Sequence, residues 1–110
     1  MKNIKPMLFA NDNMTKKYII EDGRERNRQY PETFEIPSQA EIDVLKVGDS
    51  VKMIFNEDGN CERMWVVVTE INRNDGKLFF KGKLDNKPSL ESIKLGDEVL
   101  FSEEHIISIY

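Results

Sequence analysis

The sequence predicts a small α+β domain: a strongly curled antiparallel β-sheet, or barrel-like sheet, with one or two short helices. Three observations predict it. Short apolar or alternating runs follow one another from Val51 to the end of the chain, as strands do. The first three of these runs are joined by polar loops of hairpin length, each bearing a glycine. Ahead of them stands a single well-formed helix-start signal at Ser38. At 110 residues the chain has the size of one domain. It reads as one unit, with residues 1–33 an N-terminal extension packing on a β-rich core over residues 34–110.

Residues 1–20 carry little periodicity. Asn11-Asp12-Asn13 is a turn or helix-start signal, and Met14 to Ile20 fits a short strand or a short helix. Glu21-Asp22-Gly23 reads as a turn. The polar stretch Arg24 to Gln29 suits a short helix, ended at Tyr30 because Pro31 drives its predecessor to extended geometry. Phe34 and Ile36 alternate with Glu35 before Pro37, which predicts a short extended piece. Ser38-Gln39-Ala40-Glu41 is a capping box: Ser38 accepts from the Glu41 amide while Glu41 reaches back to the Ser38 amide. Ile42 and Leu45 share a helical face, and Gly48 stands where a glycine stops a helix. These signals predict a helix over about residues 38–46.

The remainder reads as strands. Val51, Met53 and Phe55 alternate with Lys52, Ile54 and Asn56. Asn56 to Asn60 is a hairpin loop. Arg63 to Ile71 is the strongest strand, and both its faces, Met64/Val66/Val68 and Trp65/Val67/Thr69/Ile71, are largely apolar. That predicts a central strand covered on both sides. Asn72 to Gly76 is a second hairpin loop. Lys77 to Leu84 places Leu78, Phe80 and Leu84 on one face and Lys77, Phe79, Lys81 and Lys83 on the other. Glu98 to Phe101 and His105 to Ile109 are two further strands. There is also an internal echo. Lys46-Val47-Gly48-Asp49-Ser50-Val51 and Lys94-Leu95-Gly96-Asp97-Glu98-Val99 each launch a strand from a Gly-Asp turn, one local solution used twice.

Composition excludes several function classes. Hydrophobic residues make up 39% and charged residues 33%, too apolar for a disordered chain and too charged for a membrane protein. No segment approaches the roughly 20 apolar residues of a spanning helix. The basic start Met1-Lys2-Asn3-Ile4-Lys5-Pro6 is followed by no sustained apolar stretch, so no secretory signal is expected and the cytoplasm is the expected location. A single cysteine, Cys61, forms no intramolecular disulfide, and a single histidine, His105, builds no multi-histidine metal site. No metal or cofactor is expected. The net charge is -4 and uneven: residues 1–30 hold seven Lys/Arg against four Asp/Glu, which leaves an acidic body over residues 31–110. An acidic body disfavours nucleic acid and suits a basic protein partner.

Candidate chemistry is sparse. The six glycines are scattered, without phosphate-loop or dinucleotide spacing. Cys61 and His105 form a thiolate–imidazole pair only if the fold joins them. Glu57/Asp58, Asp97/Glu98 and Glu103/Glu104 sit in or beside turns and read as solvated charge. The lysine-bearing face of Lys77 to Leu84 suits single-stranded nucleic acid, but equally protects an edge strand; edge protection is the reading preferred. Trp65, the sole tryptophan, reads as core, although a binding tryptophan would stand part-exposed beside polar groups.

Glu62-Arg63-Met64-Trp65-Val66, Gly82 to Pro88, Gly96-Asp97-Glu98-Val99 and His105-Ile106 together resemble the bacterial family known as domain of unknown function 2314. Its pattern is E-x-M-W-V, G-x-L-x-N-x-P and G-D-x-V with a closing isoleucine segment. The likeness covers roughly residues 34–110. The Asp-Trp that usually stands near the family's end is missing, since this chain closes Ser108-Ile109-Tyr110. The resemblance implies a small bacterial domain with no established activity, and transfers no catalytic residue. The shared positions point to a candidate binding site where Trp65, Glu62, Asn86 and Asp85 converge. The functional expectation is a non-enzymatic protein-binding domain, in one version a toxin-neutralising immunity protein. The alternatives are a small enzyme and a single-stranded nucleic-acid module.

Overall fold

The computed structural model describes residues 17–110, so the Asn11–Asn13 signal and the start of the Met14–Ile20 run lie outside it. Strand β1 (Ile19–Ile20) leads into helix α1 (Gly23–Gln29), whose Asp22 N-cap accepts from the Glu25 amide. Asp22 thus starts a helix where the sequence suggested a turn. Helix α2 (Gln39–Asp43) carries the full capping box of Ser38 and Glu41. Four longer strands follow, β2 (Ser50–Glu57), β3 (Asn60–Asn74), β4 (Lys77–Leu84) and β5 (Glu98–Ser102). A single 3-10 turn (Glu103–His105) then returns the chain to β6 (Ser108–Ile109).

The strands form a strongly curled antiparallel half-barrel in the order β1-β2-β3-β4-β5. Strand β6 pairs with β2 at Val51 and Lys52, and β1 pairs with it at Phe55 and Asn56. Two short strands thus share the edge of β2 that faces away from β3. Both hairpins close with two-residue Asp-Gly turns in which both residues have positive φ, 52° and 89° at Asp58 and Gly59, 54° and 78° at Asp75 and Gly76. That backbone twist matches the twist of the flanking strands.

Alternation on the strands sends Val51, Met53, Phe55, Met64, Val66, Val68, Leu78 and Phe80 into one core, to which Tyr18, Ile42, Leu45, Ile93 and Ile106 are added. Phe80 stacks on Phe101 with centroids 5.0 Å apart. Each such side chain contributes about 1.5–3 kcal/mol on burial. Tyr18 and Ile20 join this packing, and Tyr18 meets the Phe55 ring at 5.3 Å. Gly82 faces Val68 across a register shift between Val68 and Glu70, which makes Thr69 the extra residue of a bulge. A Cβ on Gly82 would stand 2.4 Å from Val66 Cγ1 and 2.6 Å from the Val67 carbonyl oxygen. The bulged strand bends here because glycine lets the backbones approach.

The echo is a repeated hydrogen-bond unit. The Lys46 and Lys94 amides donate to Asp49 and Asp97 Oδ2 at 2.8 and 2.9 Å. Gly48 and Gly96 take φ of 100° and 89° and donate to Val68 and Leu84 carbonyls, both at 2.8 Å. Val68 and Leu84 donate back to Asp49 and Asp97 at 2.8 and 2.9 Å. Each unit extends an outer strand by one bulged pair, at β2 against β3 and at β5 against β4.

Four expectations are corrected. The outer face of β3 is not covered: Trp65 and Val67 are half-buried and Thr69 is exposed, while past the Thr69 bulge Ile71 turns inward, opposite Phe80 and packed against the core. Helix α2 and the turn after it send Ile42 and Leu45 into the inner core and α1 packs on the 3-10 turn, so neither helix lies over Trp65. Strand β4 is not an edge, being paired with β3 and β5. Helix α2 stops at Asp43, and Gly48 serves the Lys46–Asp49 turn instead of a helix end. In the unpaired segment ahead of α2, Phe34 lies under the guanidiniums of Arg26 and Arg63, at 5.8 and 5.4 Å. His105 belongs to the 3-10 turn.

Candidate outer-face binding site

Trp65 stands at the centre of the outer face. The two-residue turn at Asp58-Gly59 makes Glu57 oppose Asn60, and the same register sets Lys52 opposite Trp65. The Lys52 ammonium lies 4.8 Å from the indole centroid, a cation over an aromatic face. On the other side of Trp65 the chain leaves β4. The Asp85 amide donates to the Trp65 carbonyl at 2.9 Å, and Asn86 Oδ1 accepts from the Trp65 amide. This clamp extends the sheet by one polar pair and holds Asp85 beside the indole. Tyr110, whose amide donates to the Ser50 carbonyl at 3.0 Å, sets its ring edge-on to Trp65 at 5.7 Å. Tyr110 is 95% exposed. Ser50, Trp65, Asp85 and Tyr110 line an open cleft of about 220 Å³.

Of the four residues singled out in the sequence, three meet here. Trp65 and Asp85 line the cleft, and Asn86 holds the loop. Glu62 does not join them. It lies two residues from Met64 on β3 and so faces the inner side. There its carboxylate accepts from the Ser89 amide at 3.0 Å. Glu57 acts alongside it, accepting from the Ser92 hydroxyl at 2.5 Å and the Ser92 amide at 3.2 Å. These bonds hold the Glu57 carboxyl below the usual range, the Ser92 hydroxyl contributing most. Together the two carboxylates fasten residues 89–92 across one end of the half-barrel, above Leu90 and buried Ile93. Beside this loop is a cavity of about 470 Å³, lined in part by Glu57, Asp58, Cys61, Glu62 and Glu91.

Cys61 and His105 are not brought together. Cys61 is exposed, with its sulfur 3.8 Å from Glu21 Oε2. Glu21 also accepts from Asn56 Nδ2 at 2.7 Å and from Arg26. The Asn56 bond is the largest cause of its lowered pKa, aided by Arg26 and Cys61 against the cost of burial. His105 Nδ1 accepts from the Ser102 amide at 3.0 Å, which requires an unprotonated Nδ1. Burial lowers the His105 pKa further than Glu104 and Asp22 raise it. Both groups are committed to structural bonds.

The Glu103/Glu104 pair is less solvated than expected. Glu103 is buried; its Oε1 accepts from the Leu78 amide at 3.2 Å, and Arg24 lies 3.6 Å from Oε2. Burial raises the Glu104 pKa, but its own amide, His105, Ser102 and Lys77 carry it below the ordinary value. Lys77 Nζ is 3.2 Å from Glu104 Oε1, and Lys81 Nζ is 3.8 Å from Glu70. Two of the three lysines on the outer face of β4 are therefore ion-paired, and edge protection is not their role.

Lys52 and Tyr110 were missed in the sequence. The Asp58-Gly59 turn carried a usable signal for Lys52, since counting back from a two-residue loop pairs it with Trp65. No sequence signal placed Tyr110. Among the described residues no group of three or more His, Cys, Asp or Glu is placed to hold a metal ion, and no helix is long and apolar enough to cross a membrane. No family model, curated protein or solved structure matches the chain.

Proposed function

We propose that this chain is a non-enzymatic protein-binding domain whose recognition surface is the outer-face patch centred on Trp65. One observation carries the reading: the sole tryptophan stands half-buried on an uncovered sheet face, between Lys52 and Asp85, with exposed Tyr110 against its edge. Tryptophan and tyrosine supply large, stiff contact area and dominate the energetics of protein interfaces. Strand pairing and the Asn86 clamp fix the indole's backbone in advance, which lowers the ordering cost of association. Kinship with the 2314 family belongs to the same proposal, because Trp65 and Asn86, two of the residues that carry the likeness, build this patch.

The test is capture from lysate of the cells that make the chain, with wild type and Trp65→Ala side by side. A partner retained by wild type and lost on Trp65→Ala, at unchanged folded content, supports the reading. Equal capture by both proteins rejects it.

A second reading, a toxin-neutralising immunity protein, is favoured by the charge at the other end of the half-barrel. Glu57, Asp58, Glu62 and Glu91 line the larger cavity in a chain of net charge -4. That surface would speed association with a basic protein. Asp58→Asn with Glu91→Gln, which spares the loop-holding Glu57 and Glu62, should slow that association and flatten its salt dependence. Unchanged rates would exclude this end as the docking surface.

A further inference from the structure

We infer that the partner at the Trp65 patch is a second copy of this chain, docked about a two-fold axis that runs parallel to β3 across Trp65. The inference rests on the protein-binding reading and names the partner for it.

The argument starts from charge placement. Lys52 lies directly across the β2–β3 pair from Trp65, and Asp85 lies on the opposite side, bonded through its amide to the Trp65 carbonyl. Among the described residues neither side chain has an ion-pair partner: Lys52 lies over the Trp65 ring, and the Asp85 carboxylate is exposed. One patch therefore holds a cation and an anion flanking an aromatic centre. Such a surface is complementary to itself, which an isologous interface requires.

The geometry selects one operation. A two-fold axis lying in the interface along β3 exchanges the two flanks of Trp65. It places Lys52 of each copy over Asp85 of the other, and Val67 over Val67. An axis running across the strands would oppose Lys52 to Lys52, which is repulsive. Under the favoured operation Tyr110, 95% exposed in the single chain, comes down over the Asp85 flank of the second copy. There its ring gains burial that the isolated chain does not provide. Lys83, on the same face, meets Ser50 of the second copy instead of a like charge. The same operation brings Arg63 towards Arg63 of the second copy, each guanidinium lying over the Phe34 ring of its own chain, 5.4 Å from the centroid.

The same features disfavour a single-stranded nucleic acid. One face of the indole is already under the Lys52 ammonium, so base stacking there must displace it. Asp85 beside the ring repels phosphate.

Sedimentation equilibrium from about 1 μM to about 1 mM tests the inference. Emission of Trp65, the sole indole, reports the same equilibrium optically. A concentration-dependent dimer is expected, with emission shifting to the red on dilution. Lys52→Asp alone and Asp85→Lys alone should each weaken the dimer about tenfold. The double exchange Lys52→Asp with Asp85→Lys should restore most of the loss, because the reciprocal pairs re-form with reversed sign. Circular dichroism confirms that each variant is folded.

A chain that stays monomeric throughout overturns the inference. So does a dimer indifferent to both single reversals, or a double exchange weaker than either single one. A monomeric chain that still captures another partner through Trp65 leaves the protein-binding reading intact and removes the second copy. Loss of both behaviours removes both.

Discussion

The two faces of β3 are built from adjacent residues and do opposite work. Met64, Val66 and Val68 point inward and are at most 1% exposed. Trp65 and Val67 point outward and stay half-buried, with Thr69 exposed at the bulge. Both faces carry large apolar side chains; what differs is whether another layer exists to receive them. The inner face meets its own curled sheet and α2, whereas over Trp65 the outer face meets only Lys52, Asp85 and Tyr110. An apolar strand face is therefore a core only if the fold has material to cover it. Otherwise it is a surface available for recognition.

Substitutions can break this contrast, and the inner face should respond most. Met64→Ala should cost about 3 kcal/mol in denaturant unfolding, through lost burial plus the cavity left behind. Gly82→Ala should cost up to about 3 kcal/mol. Its Cβ would strike the Val67 carbonyl as well as the Val66 side chain, and backbone yields less than a side-chain end. Lys81→Ala and Lys83→Ala, which flank Gly82 on the outer face, should each stay within about 0.5 kcal/mol. An equal response at Gly82 and its neighbours would dissolve the contrast.

The outer face should respond in exposure before stability. Asn86→Ala removes the acceptor for the Trp65 amide and should cost about 1 kcal/mol. It should also raise acrylamide quenching of Trp65 as the Asp85–Pro88 loop loosens. Unaltered quenching would show that the clamp does not hold the patch.

The smallest expected effect is a pH response at the far end of the fold. Burial lowers the His105 pKa, so the folded imidazole takes up its proton at a lower pH than the unfolded one, which does so near about 6.5. The contribution is complete above that unfolded value and is lost as pH falls through the folded pKa, breaking the Ser102–His105 bond. Thermal melts of wild type should drop across this window, and those of His105→Asn should drop less. Tyr18 works in the opposite direction. Burial, then the charge of Asp97, push its pKa up to about 12, so its contribution is lost as pH rises from about 10 towards that value. Melts of Tyr18→Phe should be flatter over that alkaline range.

Much of the fold was legible because it rests on local chemistry. The capping box at Ser38 and Glu41, the glycines of both hairpin turns and the Pro31 stop after α1 each act within a few residues. The echo at Lys46–Asp49 and Lys94–Asp97 was visible as words, and the structure shows it as equivalent hydrogen bonds. The candidate site was half legible. Trp65, Asp85 and Asn86 meet as expected, but Glu62 does not, because a position three residues from Trp65 falls on the other face of a strand. Trp65 was read as core because periodicity reports polarity without coverage.

By itself the sequence determined the main strand runs, the two glycine-bearing hairpin loops, the capped helix and the absence of any disulfide within the chain. These follow from backbone preferences and residue counts that hold in any surroundings. Tertiary structure alone decided that β4 is interior, that β1 and β6 divide one edge of β2, and that Tyr110 reaches Trp65. Those outcomes depend on which distant segments share space, and curling the sheet is what leaves one face of β3 sealed and the other open.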